Sequence, residues 1–130
     1  MQISYHLSIM TSEEKRSFLL LKSVIFHYHG LDEDEQKILD DTARRLDAQE
    51  ELKWANQFIS QDYITAFERA REYLNETVGK YDREKRLEYL DLVWKANNQK
   101  GYITEMEATA MLKLAKDWGV ERDLIELVRK

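Results

Sequence analysis

The segment TSEEKRSFLLLKSVIFHYHG, residues 11–30, constrains the fold more than any other part of the chain. Its apolar residues cover most of the circumference of a helix, which is the pattern of a helix buried on all sides. Thr11 at the N-cap and Glu14 three residues later form a capping box, and Gly30 suits the left-handed position after the last turn. A helix of this kind needs neighbours on every face, so the sequence predicts a bundle built around it.

The rest of the chain supplies further helices, because it has no proline and only four glycines and is rich in good helix formers. Asp32 with Glu35 and Thr104 with Glu107 form two more capping boxes, and Asp82 opens another helix. Ser60 is expected to cap a helix in which Ile64, Phe67, Arg71, Leu74 and Val78 recur at helical spacing. We therefore predict an all-α protein, a compact bundle of about six to seven helices.

The two halves of the chain resemble each other at a constant offset. Glu35 and Glu107 are 72 residues apart, and six apolar pairs keep that register. The sequence therefore predicts two pseudo-repeated helix-turn-helix halves packed around a pseudo-twofold axis. The pairs are Leu31 with Ile103, Leu39 with Met111, Ala43 with Ala115, Leu46 with Trp118, Ala48 with Val120, and Leu52 with Leu124.

Composition excludes several classes of function. A net charge of −5 argues against sequence-independent binding of nucleic acid, and the absence of cysteine excludes disulfides, cysteine-bound zinc and thiol catalysis. No apolar run is long enough to cross a bilayer, and no signal peptide is present, so we expect a cytoplasmic protein. No phosphate loop, nucleophile elbow or dinucleotide fingerprint occurs, and we expect a protein that is not an enzyme. Residues 1–10 form a tail or arm, and residues 11–130 a single domain.

Four sequence stretches carry a resemblance to a known family. The helix RLEYLDLVWKAN, the turn KGYITEME and the helix ATAMLKLAKDWGV resemble the tellurite-resistance TerB-like family, and HYHGLDEDEQKILDDTARRLD resembles a first, more degenerate copy. The resemblance covers roughly residues 15–128. It implies an all-helical bacterial domain without established catalysis, linked to tellurite and chemical stress, with acidic surfaces suspected of binding metal. The family's aspartate before the turn glycine is replaced here by His29 and Lys100.

The segment KANNQKGYITEMEA, residues 95–108, also matches part of a calcium-binding EF-hand loop. With Gly101 at position 6, Glu107 falls at position 12, but Ala96 at position 1 offers no oxygen and Lys100 at position 5 brings a positive charge. We therefore interpret Glu107 as a helix cap. The alternative is a metal-responsive domain in which residues of the two turns converge on a divalent cation, with Asp32, Asp34, Glu35, Asn97, Asn98, Glu105 and Glu107 as candidates.

Histidines and tyrosines supply the remaining candidates. His27 and His29 point about 200° apart on a helix and so cannot easily bind one zinc ion together. The favoured hypothesis is a non-catalytic interaction or scaffold module that binds a protein partner, with a homodimer through the N-terminal arm also open. This hypothesis predicts an exposed aromatic patch, and the alternative for each tyrosine is half-buried packing. The candidates are Tyr63, Tyr73, Tyr81, Tyr89 and Tyr102.

Overall fold

The computed structural model describes residues 10–27, 32–98 and 103–129, which contain seven α-helices and no strand. The all-α prediction and the predicted number of helices are therefore confirmed. A short 3-10 turn, Val78–Lys80, lies between the fourth and fifth helices. None of the described helices is long and apolar enough to cross a membrane. The helices are α1 Ser12–His27, α2 Glu33–Leu46, α3 Gln49–Ser60, α4 Ala66–Glu76, α5 Arg83–Asn98, α6 Glu105–Asp117 and α7 Glu121–Val128.

Helix α1 lies at the centre of the bundle. Ten consecutive residues, from Ser17 to Phe26, are buried, so every face of these three turns is covered. The covering elements are α2, α3, α4, α5 and α6, all of which contact α1. This arrangement confirms the prediction of a central helix, and it explains why a chain of modest length needs this many helices.

The buried stretch of α1 includes one charged residue, Lys22, which is 4% exposed. Its Nζ donates a hydrogen bond of 2.6 Å to Oγ1 of Thr42 on α2, and that hydroxyl in turn donates to the carbonyl of Ile38. Burial, and then the positive charge of Arg45, lower the pKa of Lys22 to about 8. A hydroxyl is a weaker partner for an ammonium than a carboxylate, so this contact leaves the charge incompletely compensated.

Three predicted capping boxes set the starts of α1, α2 and α6. At α1 the Thr11 N–H donates to Glu14 and the Glu14 N–H donates back to the threonine hydroxyl, at 2.8 and 3.1 Å. The same reciprocal pairs join Asp32 to Glu35 and Thr104 to Glu107. Both orphan donors at each helix start are thereby satisfied, and the three predictions are confirmed.

Segments 32–52 and 104–124 share their local hydrogen bonding at the predicted offset. In each, the first helix is followed by a residue in the left-handed region, Asp47 with φ 53° just after Leu46 or Gly119 with φ 71° two residues after Asp117. The two turns then close through equivalent bonds, Ala48 N–H to Ala43 O at 2.8 Å and Val120 N–H to Ala115 O at 2.9 Å. The agreement is local, and the pseudo-twofold arrangement of whole halves stays a prediction.

One predicted helix start is wrong. Ser60 does not cap a new helix but is the last residue of α3, where its hydroxyl donates to the Gln57 carbonyl. The next helix, α4, begins at Ala66. Ile64 therefore lies in a loop and is 94% exposed, although the sequence pattern placed it on the buried stripe.

The buried ammonium of Lys22 should make stability depend on pH. The folded state binds the ammonium proton of Lys22 more weakly than the unfolded state does. The resulting loss of stability is therefore fully present below about pH 8 and disappears above the unfolded pKa of 10.5. We expect Lys22→Met to raise the free energy of unfolding relative to wild type by about 2 to 3 kcal/mol more at pH 7 than at pH 10. Urea unfolding at the two pH values measures this difference.

The matched control is Lys37→Met, because Lys37 is an exposed lysine on α2. Its effect on stability should be small and the same at both pH values. A Lys22→Met effect that does not change with pH would show that the lysine is solvated in the folded protein.

Candidate functional site

The loop of residues 61–65, between α3 and α4, presents the most exposed large apolar side chain of the described residues. Ile64 is 94% exposed and its neighbour Tyr63 is 65% exposed. Fully burying an isoleucine gains about 1.5 to 3 kcal/mol, and here that gain is not realised within the chain. We call residues 61–65 the Ile64 loop. The other exposed large apolar residues are less prominent, and they are Met106, Leu112, Ile125 and Leu127.

The Ile64 loop is held in one shape by Arg69 of α4. Its guanidinium donates to the carbonyls of Phe58 and Asp62, both at 2.8 Å, and to the Thr65 hydroxyl at 2.9 Å. The guanidinium also lies 4.9 Å from the centre of the Phe58 ring. Within the loop, the Ile64 N–H donates to the Asp62 carboxylate at 3.0 Å. Because the backbone is tied down on both sides, the exposure of Ile64 belongs to an ordered surface.

A cavity of about 140 Å³ lies beside the loop, and we call it the His27 cavity. Its walls come from α1, α3 and α4, and Tyr63 and Ile64 border it. The His27 and Tyr63 rings lie with their centres 6.1 Å apart. The cavity lining joins apolar side chains with the polar groups of His27 and Tyr63. The remaining lining residues are Val24, Ile59, Ala66 and Phe67.

His27 ends α1 and has a buried ring nitrogen, Nε2, with no hydrogen-bond partner among the described residues. Burial lowers the pKa of His27 below its ordinary value of 6.5, because the charged imidazolium is poorly solvated there. The neutral ring is therefore the dominant form at pH 7. A buried polar atom without a partner costs about 1 to 3 kcal/mol, and this nitrogen is shielded from solvent.

A second, larger depression of about 720 Å³ runs between α2 and α3, and His27 and Tyr63 also border it. Side-chain amides and charges line it, with Ala43 and Leu52 among the apolar residues. The Gln36 amide donates to Asp40 at 3.0 Å. The lining of this depression mixes polar and apolar side chains. The amide and charged residues are Gln36, Gln49, Asn56, Gln57, Asp40, Arg44 and Lys53.

The predicted metal residues are not gathered around a site in the described part of the chain. Those ranges contain no group of three or more histidine, aspartate or glutamate side chains that could hold a metal ion. Asp32, Asp34, Asn98 and Glu105 are exposed, and Asn97, Glu35 and Glu107 are buried. The two glutamates accept hydrogen bonds as capping residues. Gly30, Gly101, His29 and Lys100 lie outside the described residues.

The tyrosines do not form one exposed patch. Of the predicted five, Tyr63 is exposed, and Tyr102 lies outside the described residues. Tyr89 is 1% exposed and packs edge-on against Phe18 and Tyr81. The packing alternative therefore holds for three of them, since Tyr73 contacts Trp54 and Phe58, and Tyr81 donates to Glu13 at 3.2 Å.

Sequence reasoning missed the Ile64 loop and the role of Arg69. One signal was available, because the polar run from Ser60 to Asp62 followed by Thr65 is typical of a turn and a new helix start. The helical spacing of the apolar residues Ile64 and Phe67 instead favoured a helix that already includes Ile64. The three acceptors of Arg69 converge only after α3 and α4 have packed, which no local pattern reveals.

Comparisons with known proteins identify no relative of this chain, since no family model, curated protein or solved structure matches it. The resemblance to the TerB-like family therefore stays a prediction from the sequence.

The capping interpretation of the turn glutamates can be tested by substitution. Glu107→Ala removes the acceptor of the Thr104 N–H and hydroxyl, and we expect the free energy of unfolding to fall by about 1 to 2 kcal/mol. Glu105→Ala, at an exposed position of the same turn, should lower it by about 0.5 kcal/mol or less. Urea unfolding in EDTA measures both values.

Repeating the comparison with millimolar Ca²⁺, Mg²⁺, Mn²⁺ or Zn²⁺ distinguishes capping from metal binding. The destabilisation by Glu107→Ala should be the same with and without each ion. A rise of several degrees in the wild-type Tm with one ion, lost in the variant, would contradict the capping account and restore the metal hypothesis.

Proposed function

We propose that this chain is a non-catalytic interaction module that binds a protein partner through the Ile64 loop and the neighbouring His27 cavity. The observation that carries the proposal is the ordered exposure of Ile64. The side chain is 94% exposed on a loop that Arg69 ties to α3 by hydrogen bonds to two carbonyls and a hydroxyl. An apolar side chain held rigidly in water loses little conformational entropy when a partner covers it.

The surroundings of the loop have the composition of a protein interface. An apolar and aromatic centre, Tyr63 with Ile64, is bordered on one side by a depression that amide and charged side chains line together with apolar residues. Interfaces commonly have an apolar, aromatic centre and a polar rim, and tyrosine is among the residues that contribute most to binding. The amides offer both donors and acceptors, which can satisfy the main chain of a partner.

Support for a non-catalytic role comes from the chemistry of the described cavity. Among the described residues that line it, the titratable side chains are those of His27 and the exposed Tyr63, with no serine or carboxylate. His27 Nε2 has no hydrogen-bond partner among the described residues, so no described nucleophile is paired with it there. Binding a partner does not require the side chain of His27 or Tyr63 to be activated for chemistry.

The cellular role that we propose, a part in tellurite or chemical-stress response in the bacterial cytoplasm, rests on the resemblance to the TerB-like family. A strain lacking the protein would then grow less well on tellurite. The partner would be a protein of the same response. Reintroducing the chain would restore growth of that strain only if the Ile64 loop is intact.

The proposal is tested by placing a photoreactive benzophenone side chain at position 64 in cells of the source organism. We expect irradiation to yield one discrete crosslinked protein, identified by mass spectrometry. Ile64→Ser should abolish binding of that protein without changing the Tm, because the side chain makes no buried contact in the free protein.

The matched control is position 127, where an exposed leucine lies on α7. The benzophenone there should give no discrete product, and Leu127→Ser should leave binding of the crosslinked protein unchanged. Equal crosslinking from both positions, or full binding by Ile64→Ser, would refute the proposed surface.

A further inference from the structure

The hairpin of α6 and α7 has the same local geometry as the hairpin of α2 and α3, 72 positions earlier in the chain. Besides the turn bonds already described, the Asp47 N–H donates to Arg44 O and the Gly119 N–H donates to Lys116 O, each at 3.2 Å. Each second helix then begins two residues after the left-handed residue. Side chains at equivalent positions therefore lie at equivalent places on the two hairpins.

The two hairpins differ in the chemistry of one surface. Four polar side chains help to line the depression between α2 and α3, and they are Gln36, Asp40, Lys53 and Asn56. Their counterparts 72 positions later are all apolar, and they are Ala108, Leu112, Ile125 and Val128. We call these four residues the α6–α7 face. Leu112 and Ile125 are each 37% exposed, so water covers apolar groups where the first hairpin presents polar ones.

We infer that the α6–α7 face binds a second copy of this chain and forms a weak homodimer with a twofold axis. An apolar surface that faces water at a place where the equivalent surface is polar is typical of an interaction site. The inference goes beyond the proposed function, because the face contains no residue of the Ile64 loop or of the His27 cavity.

The charges along α6 identify a second copy as the occupant. Glu105 and Lys116 lie on the same outward line of the helix as Leu112, within about 40° around its axis. Both charged side chains are exposed, and neither forms an ion pair with another described residue. The line is therefore negative at its start, apolar at its centre and positive at its end.

This order of charges is complementary to itself when two α6 helices pack antiparallel. Glu105 of each copy then faces Lys116 of the other copy, and Leu112 lies beside Thr109 of the other copy. The twofold axis repeats each contact, as in other symmetric dimers, and the two helix dipoles oppose each other favourably. Ile125 and Val128 on the adjacent α7 extend the apolar centre.

The size of the face predicts weak association. Helix α6 has 13 residues, so it is about 20 Å long, and packed helices lie about 8 to 10 Å apart. The hairpin therefore offers on the order of 400 Å² per copy, about half of the area that each partner contributes to a standard interface. We expect a dissociation constant of about 10 to 100 µM, with monomers in dilute solution.

Sedimentation velocity tests the inference over protein concentrations from about 5 to 500 µM, which bracket the expected dissociation constant. The average mass of the wild type should rise from that of one chain toward that of two. The double variant Leu112→Asp with Ile125→Lys should stay monomeric throughout. Its Tm should change little, because both positions are exposed and the equivalent positions 40 and 53 carry these residue types naturally.

The matched control is Leu127→Lys. Leu127 is also 37% exposed, but it points about 200° away from Ile125 around the axis of α7. This variant should therefore dimerise with the wild-type dissociation constant. A loss of dimer equal to that of the double variant would show that any added charge prevents association, and it would overturn the assignment of the surface.

Charge reversal tests the antiparallel pairing. Lys116→Glu and Glu105→Lys each place like charges opposite each other twice in the dimer, and each should weaken association about tenfold. The variant with both reversals restores opposite charges and should recover most of the wild-type affinity. Absence of recovery in a variant whose Tm shows it to be folded would overturn the inference.

Two further results would also overturn it. A wild type that stays monomeric up to about 500 µM would show that no second copy covers the face at the expected affinity. A dimer that persists in Leu112→Asp with Ile125→Lys would form through another surface, such as the N-terminal arm. Neither result changes what crosslinking from position 64 measures, so the proposed function and this inference can fail separately.

Discussion

The complete burial of α1 is the constraint on which the rest of the structure depends. Ten consecutive side chains, from Ser17 to Phe26, must be covered on every side, and five helices do so. Because Lys22 lies within this stretch, α2 must also present Thr42 to its ammonium. That polar contact gives the packing of α2 on α1 a preferred register, since a shifted helix would leave the charge without an acceptor.

The candidate site follows from where this central helix ends. His27 closes α1 at the edge of the bundle, where the buried stretch meets the loop between α3 and α4. Core residues such as Val24 and Ile59 therefore form the floor of an open cavity. Arg69 fixes the loop beside it and keeps Ile64 in water. The same packing that stabilises the bundle thus supports a rigid apolar surface.

Much of the fold could be predicted from local sequence signals. The capping boxes at Thr11, Asp32 and Thr104 depend on residues three apart, and the burial of α1 follows from its composition. The site could not be predicted in the same way. Ile64 has the spacing of a core residue, and its exposure depends on Arg69 reaching Phe58 and Asp62 across two helices. A lysine in an apolar run is visible in the sequence, but its acceptor is twenty residues away.

Amide hydrogen exchange tests the central claim most directly, because it reports the free energy of opening residue by residue. If α1 is the buried centre, amides from Leu20 to Phe26 should exchange only when the whole protein unfolds, with the same free energy as urea unfolding gives. The exposed amides of the Ile64 loop should exchange orders of magnitude faster. Exchange of the α1 amides through local opening, at a rate similar to that of the loop, would contradict the account.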